Sequence, residues 1–387
     1  MAIRVTFLPS LQHLSVATIA IAVYNNPRIS FLVDELEELE GTCEEITCYT
    51  HRHRVQEKWL IIQDKVVNQL SGYLPFSICK KVAGCLRSIH SEVIKWKFDH
   101  YEILSDDVNF KRLLCWKSEG TIDRLLTAKE LIRKRSLETK KLFVVACTYF
   151  LMSDIIILFK KMSVASLRAL YHGTTNLVIR FWIERMIEDS RISWVWNMLD
   201  QQYVSSKLRA QFIKQNDNYR IRLSSFFHML TPIDRRGYFL FNQWSEKLHH
   251  DDLRFCFYQM TETEQKEIFC FCPLLVLQTH LEWPLQSVFM NMIDLLGPNL
   301  RDLTFGYGAI YILSAKIKQG WKDADYVKIL RQYWHRCSDD LKEISKETDL
   351  YESLMITLNY NKSYPFPIEQ ILESYFPFCT FVHEPFV

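Results

Sequence analysis

The sequence predicts an all-α fold, arranged as a helical-repeat, solenoid-like array of antiparallel helix pairs. Three observations lead to this prediction. Glycine is scarce, with 10 among 387 residues, and no proline occurs between Pro75 and Pro232. Apolar residues recur at helical spacing, and alternating strand runs bounded by hairpin turns are not found. Two long stretches of the chain also resemble each other at a fixed offset.

The region 1–89 is expected to be helical, with a first helix, an acidic loop and two further helices. Acidic residues crowd the stretch from Asp34 to Glu45, which we interpret as a polar helix end and a loop. The apolar positions Val67, Leu70 and Leu74 precede Pro75 at helical spacing, and Ile78, Val82 and Leu86 follow it.

The region 90–387 is expected to form the helical-repeat domain. The stretch Asp154–Ser163 aligns with Asp252–Thr261, because Asp, Phe and Met coincide and a hydroxyl residue that can cap a helix follows the Met in both. Tyr171 and Phe269 keep the same offset, and Asn197–Asp200 matches Asn291–Asp294 after a short shift. Repeat units are therefore predicted near 137–200 and 235–294, with a degenerate third near 305–345.

Two apolar stretches imitate membrane signals. Val16–Tyr24 faintly resembles a signal peptide, but polar residues and Pro9 interrupt its approach. Leu142–Phe159 has the length of a short membrane span, but it contains Asp154. The repeat alignment favours a pair of buried helices there, and no membrane partner is expected.

Charge and cysteine content favour a cytoplasmic protein that binds other proteins. With 47 basic and 45 acidic residues the net charge is +2, which gives no long-range field for nucleic acid. The 11 cysteines are odd in number and lie mostly in apolar runs, as reduced thiols do.

No catalytic motif or cofactor site is found. The glycines do not cluster as phosphate-binding loops require, and neither a Gly-x-Ser-x-Gly elbow nor a His-Glu-x-x-His pair occurs. We therefore expect a protein that is not an enzyme and holds no cofactor, although an enzyme built on an α-toroid stays a third alternative.

Three groups of residues have metal-competent side chains, but none has the spacing of a known zinc site. For the first group we favour a surface loop, for the second a place in the core, and for the third a polar helix junction. These groups are Cys43, Cys48, His51 and His53; Cys270 and Cys272; and His249 and His250 beside Asp251 and Asp252.

The first helix carries the sharpest functional pattern. Leu11, Ser15 and Ile19 follow Pro9-Ser10 at spacings that place all three on one helical face. This string resembles the elongin-C-binding box of the SOCS-box and von Hippel–Lindau-box families. The resemblance implies that Leu11 fills an apolar pocket on elongin C, that Ser15 permits close approach of the helices, and that Ile19 completes the contact. Ser15 stands where the families most often have cysteine.

A second string resembles the element with which these families choose a cullin. Leu74 and Pro75, followed by Ile78, match its aliphatic-Pro-x-x-aliphatic form. Leu74 lies 63 residues beyond Leu11, which is farther than is usual in the families.

Two functions follow as hypotheses. The chain is either a non-catalytic substrate receptor of a cullin–RING ubiquitin ligase, with elongin C, a cullin and a protein substrate as partners, or a helical-repeat scaffold with no link to ubiquitin. The receptor requires exposed Leu11 and Ile19, because a docking helix must present them. A purely structural first helix would bury both.

Overall fold

The structure is a computed structural model that describes residues 7–41, 49–100, 110–134, 137–174, 177–188, 224, 226–241, 250–296, 302–346, 350–361 and 366–373. Within these ranges every regular element is helical, and extended backbone pairs only in a bridge between Trp116 and Ile122. The predicted all-α class is confirmed. The solenoid arrangement stays a prediction.

The helices are named here in chain order. They are α1 (Leu11–Tyr24), α2 (Pro27–Gly41), α3 (Tyr49–Leu70), α4 (Phe76–Asp99), α5 (Arg124–Lys134), α6 (Thr139–Thr148), α7 (Met152–Phe159), α8 (Val164–Gly173), α9 (Leu177–Glu188), α10 (Pro232–Phe241), α11 (His250–Gln259), α12 (Glu262–Phe271), α13 (Pro273–Leu281), α14 (Phe289–Leu296), α15 (Asp302–Tyr311), α16 (Tyr326–His335), α17 (Asp339–Ser345), α18 (Leu350–Asn359) and α19 (Ile368–Glu373).

The described residues fall into two compact units. The middle unit comprises those from Glu92 to Lys117 and from Ile122 to Cys272. The terminal unit comprises those up to Ser91, from Ser118 to Thr121, and from Pro273 onward. The predicted repeat unit 235–294 is thus divided between the two at Cys272.

The middle unit is built around α6, which packs against α5, α7 and α9. The apolar run 142–159 forms α6 and α7, which are separated by Phe150 with its positive φ of 52°. Phe143, Val145 and Trp182 are fully buried there. No single described helix is long and apolar enough to cross a bilayer, and α1 with α2 meets that requirement only as a pair bent by 77°.

Two helices of the middle unit have the same length and the same kind of N-cap at the offset of the sequence alignment, although the repeat arrangement itself stays a prediction. Both α8 and α12 are 10 residues long and begin at the same offset after a hydroxyl N-cap. Ser163 accepts a hydrogen bond from the Ser166 amide at 3.1 Å, and Thr261 forms a capping box with Glu264. The aligned residues differ in burial. Asp252 and Phe257 are buried, whereas Asp154 and Phe159 are half-buried. Asn197–Asp200 lies outside the described residues.

The terminal unit contains α1 to α3, the first part of α4, and α13 to α19. The first part of the acidic stretch lies on α2, which continues to Gly41, whereas Glu44 and Glu45 lie outside the described residues. The buried positions of α2 recur at helical spacing, so the acidic side chains fall on the remaining faces; these positions are Ile29, Leu32, Val33 and Leu36.

Candidate partner-docking face

Helix α1 begins directly after the Pro9-Ser10 pair. Ser10 is its N-cap, and the Ser10 hydroxyl accepts a hydrogen bond from the His13 amide at 3.1 Å. Leu11 is therefore the first helical residue. Leu11, Ser15 and Ile19 lie on consecutive turns, and we call these three residues the docking face.

The opposite side of α1 is held in the core of the terminal unit. Val16, Ala17, Ala20 and Val23 are buried, and both alanines are completely inaccessible to solvent. The last residue, Tyr24, is also buried, and its hydroxyl lies 3.1 Å from Nδ1 of His90 on α4. Small residues on this side let the helix lie close to its neighbours, so its rotation about its axis is fixed.

The first turn of α1 has a separate anchor in the segment Ser118–Thr121. Nε2 of His13 lies 3.0 Å from the Glu119 carbonyl oxygen, and the imidazole stacks on Trp283 at 4.9 Å. Nε1 of Trp283 donates to the Gly120 carbonyl at 2.9 Å. Gly120 has φ +91°, and a Cβ placed on it would lie 2.8 Å from the Trp283 ring and 3.2 Å from the Ala17 methyl group. The close approach at this point therefore depends on glycine.

The docking face is open to solvent at its start. The side chain of Leu11 is 83% exposed, Ser15 is exposed, and Ile19 is partly buried. Leu8, just before the helix, is also 82% exposed. The start of this otherwise anchored helix thus presents two large aliphatic side chains to solvent.

The cullin-element string lies at the turn between α3 and α4. Pro75 is exposed, whereas Leu74 and Ile78 are half-buried. The Pro75 carbonyl accepts from the amides of Ile78 and Cys79 at 2.8 and 3.0 Å, so Pro75 immediately precedes α4. Proline is favourable there because its amide nitrogen would have no helical partner.

The fold brings the two strings together although they are far apart in the sequence. Oε1 of Gln12, the residue after Leu11, accepts a hydrogen bond from Nζ of Lys81 at 2.5 Å. Lys81 lies one turn beyond Ile78 on α4. The first turn of α1 and the start of α4 therefore lie side by side in the terminal unit.

Sequence reasoning missed part of the exposed apolar surface in this region. Tyr73 is 85% exposed and Phe76 is 60% exposed, and they flank Leu74 and Pro75. Lys80 lies over the Phe76 ring at 4.5 Å. The available signal was a pair of aromatic residues beside a proline at a predicted helix junction, where exposure is common.

The described residues contain no group of three metal-competent side chains close enough to share an ion. Cys43 and Cys48 lie outside the described ranges. Nδ1 of His53 on α3 lies 3.4 Å from Oε1 of Glu57 on the same helix. Cys272 is buried, as predicted, and burial raises its pKa to about 11. The prediction of a place in the core was wrong for Cys270, which is exposed because its helix buries Ile268 and Phe269 instead.

The two aspartates at the start of α11, Asp251 and Asp252, contact other residues of the middle unit. Asp252 accepts hydrogen bonds from the amide and the hydroxyl of Ser224, and Asp251 lies 3.7 Å from Arg124.

Comparison of the chain with family models, with curated protein sequences and with solved structures found no match.

Proposed function

We propose that this chain is a non-catalytic protein-interaction module whose first helix docks elongin C, and that it serves as a substrate receptor of a cullin–RING ubiquitin ligase. The observation that carries the proposal is the 83% exposure of Leu11 on a helix whose other side is firmly packed. Burying such a leucine in a partner's pocket stabilises a complex by about 1.5–3 kcal/mol.

The other positions of the docking face support the same function. Exposed Ser15 is small enough for a second helix to approach closely, and the partly buried Ile19 still offers some apolar surface. Leu74, Pro75 and Ile78 lie at the start of α4, which the Gln12–Lys81 hydrogen bond joins to the start of α1. A partner that covers Leu11 would therefore bring a second protein close to this turn.

The test is co-purification of the full chain with elongin B and elongin C. Wild type should capture both in stoichiometric amounts, and Leu11→Asp should lose them because a carboxylate cannot enter an apolar pocket without a large desolvation cost. Ser15→Phe should have the same effect by steric exclusion. The matched control is Leu126→Asp, which places the same charge at an exposed leucine of α5.

The cullin element is tested on the same complexes. Pro75→Asp should leave elongin C capture intact and reduce cullin binding. If folded wild type captures no elongin C, or if Leu11→Asp captures it equally well, the receptor function is wrong. A scaffold with no link to ubiquitin is then the remaining proposal.

A further inference from the structure

A groove between α2 and α3 in the terminal unit belongs to none of the surfaces described above. Ile29 and Leu32 of α2 form part of its floor, and both are buried. Phe31 of α2 and Ile61 of α3 also line it, although they are 62% and 49% exposed. The groove thus presents large apolar side chains to solvent beside a formed apolar floor.

The charged residues of the groove are arranged in register along the two helices. Nζ of Lys58 on α3 donates to Oε2 of Glu35 on α2 at 2.5 Å. Arg28 and Lys65 lie seven positions from this pair in opposite directions along the chain. On antiparallel helices Arg28 and Lys65 therefore face each other across the groove. They lie about 10 Å along the groove from the Glu35–Lys58 pair, since seven residues of helix span that length. Phe31 and Ile61 lie between the two levels.

The groove therefore has an ion pair at one level, an apolar level in the middle and two cations at the third. Its lining contains three cations and one carboxylate, Glu35, which Lys58 already neutralises. Among the described residues Arg28 and Lys65 form no ion pair. Their charges are left for a ligand.

From this arrangement we propose that the groove binds a peptide segment of a partner protein that carries one bulky apolar side chain beside acidic residues. The apolar side chain contacts Phe31 and Ile61, and a carboxylate about one helical turn away meets Arg28 and Lys65. Arginine is suited to this role because its guanidinium can bind a carboxylate through two hydrogen bonds. The site is independent of the docking face, since neither Leu11, Ser15 nor Ile19 lines the groove.

An anionic membrane fits this surface less well. The site is a groove between two helices, whereas a bilayer requires an apolar surface that projects. Asp34 and Glu38 are exposed on α2 close to Phe31 in sequence, and they would repel anionic headgroups. Peptide carboxylates at the Arg28–Lys65 level avoid these residues.

The experiment begins with selection of a displayed random-peptide library on the full chain. Enriched peptides should combine an aromatic or large aliphatic residue with nearby Asp or Glu. The most enriched peptide is then labelled with fluorescein, and its binding is measured by anisotropy. Ile61→Ser should weaken binding about tenfold, because the variant loses the apolar contact with the bulky side chain of the peptide.

The matched control is Leu60→Ser, because Leu60 is the neighbouring residue, has a similar exposure of 52%, and does not line the groove. It should leave the affinity unchanged. The double variant Arg28→Glu and Lys65→Glu should abolish binding, and added salt should weaken wild-type binding. All these substitutions are at exposed positions, and an unchanged helical spectrum confirms that each variant is folded.

Several outcomes would overturn the proposal. The first three are no enrichment of any peptide, enrichment of basic peptides, and equal binding of the peptide to wild type and to Ile61→Ser. The fourth is that no peptide binds but phosphatidylserine vesicles capture the chain, and that the double variant Arg28→Glu and Lys65→Glu abolishes this capture. Binding of the acidic peptide that depends on Ile61 and on the two cations supports it.

Discussion

At the scale of single residues, the middle unit contains a buried cationic side chain that joins three helices. Arg124 begins α5, and its Nη1 donates to Oδ2 of Asp99 on α4 at 2.6 Å. Its Nε lies 3.7 Å from Oδ2 of Asp251 on α11. Arg124 and Asp99 are nearly inaccessible to solvent. Removal of the cation would take this ion pairing away from two carboxylates that have little contact with solvent.

Arg124→Met should therefore lower the free energy of unfolding by about 3–5 kcal/mol. The matched control lies on the same helix: Arg133 pairs with Glu130 at 2.7 Å but is 68% exposed. Arg133→Met should cause no measurable loss, because water already solvates both groups. Urea unfolding of the three proteins measures the difference. Equal stabilities of the two variants would show that the buried cluster has no special role.

A buried carboxyl lies in the terminal unit. Asp323 accepts hydrogen bonds from Ser88 Oγ at 2.8 Å, from Gln286 Nε2 at 2.6 Å and from the Tyr326 hydroxyl at 3.1 Å. Complete burial raises the pKa of Asp323 above its usual value of 3.8, although Lys316 and the hydrogen bonds partly oppose the rise. As the pH rises, the carboxyl group of Asp323 therefore loses its proton at a lower pH in the unfolded state than in the folded state.

Because the pKa of Asp323 is raised on folding, its contribution to stability is fully present below pH 3.8 and is lost as the pH rises through the folded-state pKa. Asp323→Asn removes this titration. The stability of wild type relative to Asp323→Asn should fall between strongly acidic and neutral pH, as measured by urea unfolding across that range. Asp340→Asn, at an exposed position of α17, is the control. A constant or rising difference for Asp323→Asn would contradict the prediction.

At the scale of elements, the orientation of α1 depends on a short loop. The segment Ser118–Thr121 supplies the Glu119 carbonyl to His13 and the Gly120 carbonyl to Trp283. Contact with the Ala17 methyl group leaves no room for a side chain at Gly120. The exposure of Leu11 therefore depends on a loop about a hundred residues away in the sequence.

Gly120→Ala should destabilise the terminal unit by about 1–3 kcal/mol, because φ is positive and the new methyl group would lie 2.8 Å from the Trp283 ring. Gly72→Ala is the control in the same unit, since nothing lies within 4 Å of its added Cβ. Thermal and urea unfolding compare the two variants. Unchanged stability of Gly120→Ala would contradict the prediction, because it would show that the segment Ser118–Thr121 accommodates the methyl group without loss of stability.

Helix boundaries were more predictable than helix faces. Ser163 and Thr261 were identified as caps from sequence, and the structure confirms both. Val67 and Leu70 on α3 and Leu74 in the turn that follows it are only half-buried, whereas the fully buried positions of α3 include Ile62 and Val66. Capping is a contact between neighbours in the chain. Burial depends on which elements pack against the helix.

At the scale of the whole molecule, the proposed elongin C contact has a thermodynamic consequence. A partner that binds only the folded chain stabilises it by mass action, by about 2.7 kcal/mol when the free partner is at a hundredfold excess over Kd. Elongin B–C complex should therefore raise the thermal unfolding midpoint of wild type in a concentration-dependent manner. Leu11→Asp should show no rise, and an equal rise in this variant would place the contact elsewhere.

The apolar and capping patterns of the sequence could not predict which segments of the chain belong to the same unit. The sequence predicted one helical-repeat domain from residue 90 onward, whereas the residues from Pro273 onward cluster with those before Glu92. Segments that are distant in sequence join through contacts such as Trp283 Nε1 with the Gly120 carbonyl and Ser88 Oγ with Asp323. No local periodicity reports such pairs.

The sequence by itself determined the helical class, because propensity, proline placement and capping act between near neighbours in the chain. It also located the candidate face of α1, since Leu11, Ser15 and Ile19 share a helical stripe. Only the tertiary structure decided that Leu11 and Ser15 face solvent while Ile19 is partly buried, because α1 is apolar on almost every side and its pattern does not say which side is buried. The tertiary structure also decided the nearness of Gln12 to Lys81 and the groove between α2 and α3. Those features arise when helices pack side by side, where shape and the burial of apolar area decide the contacts.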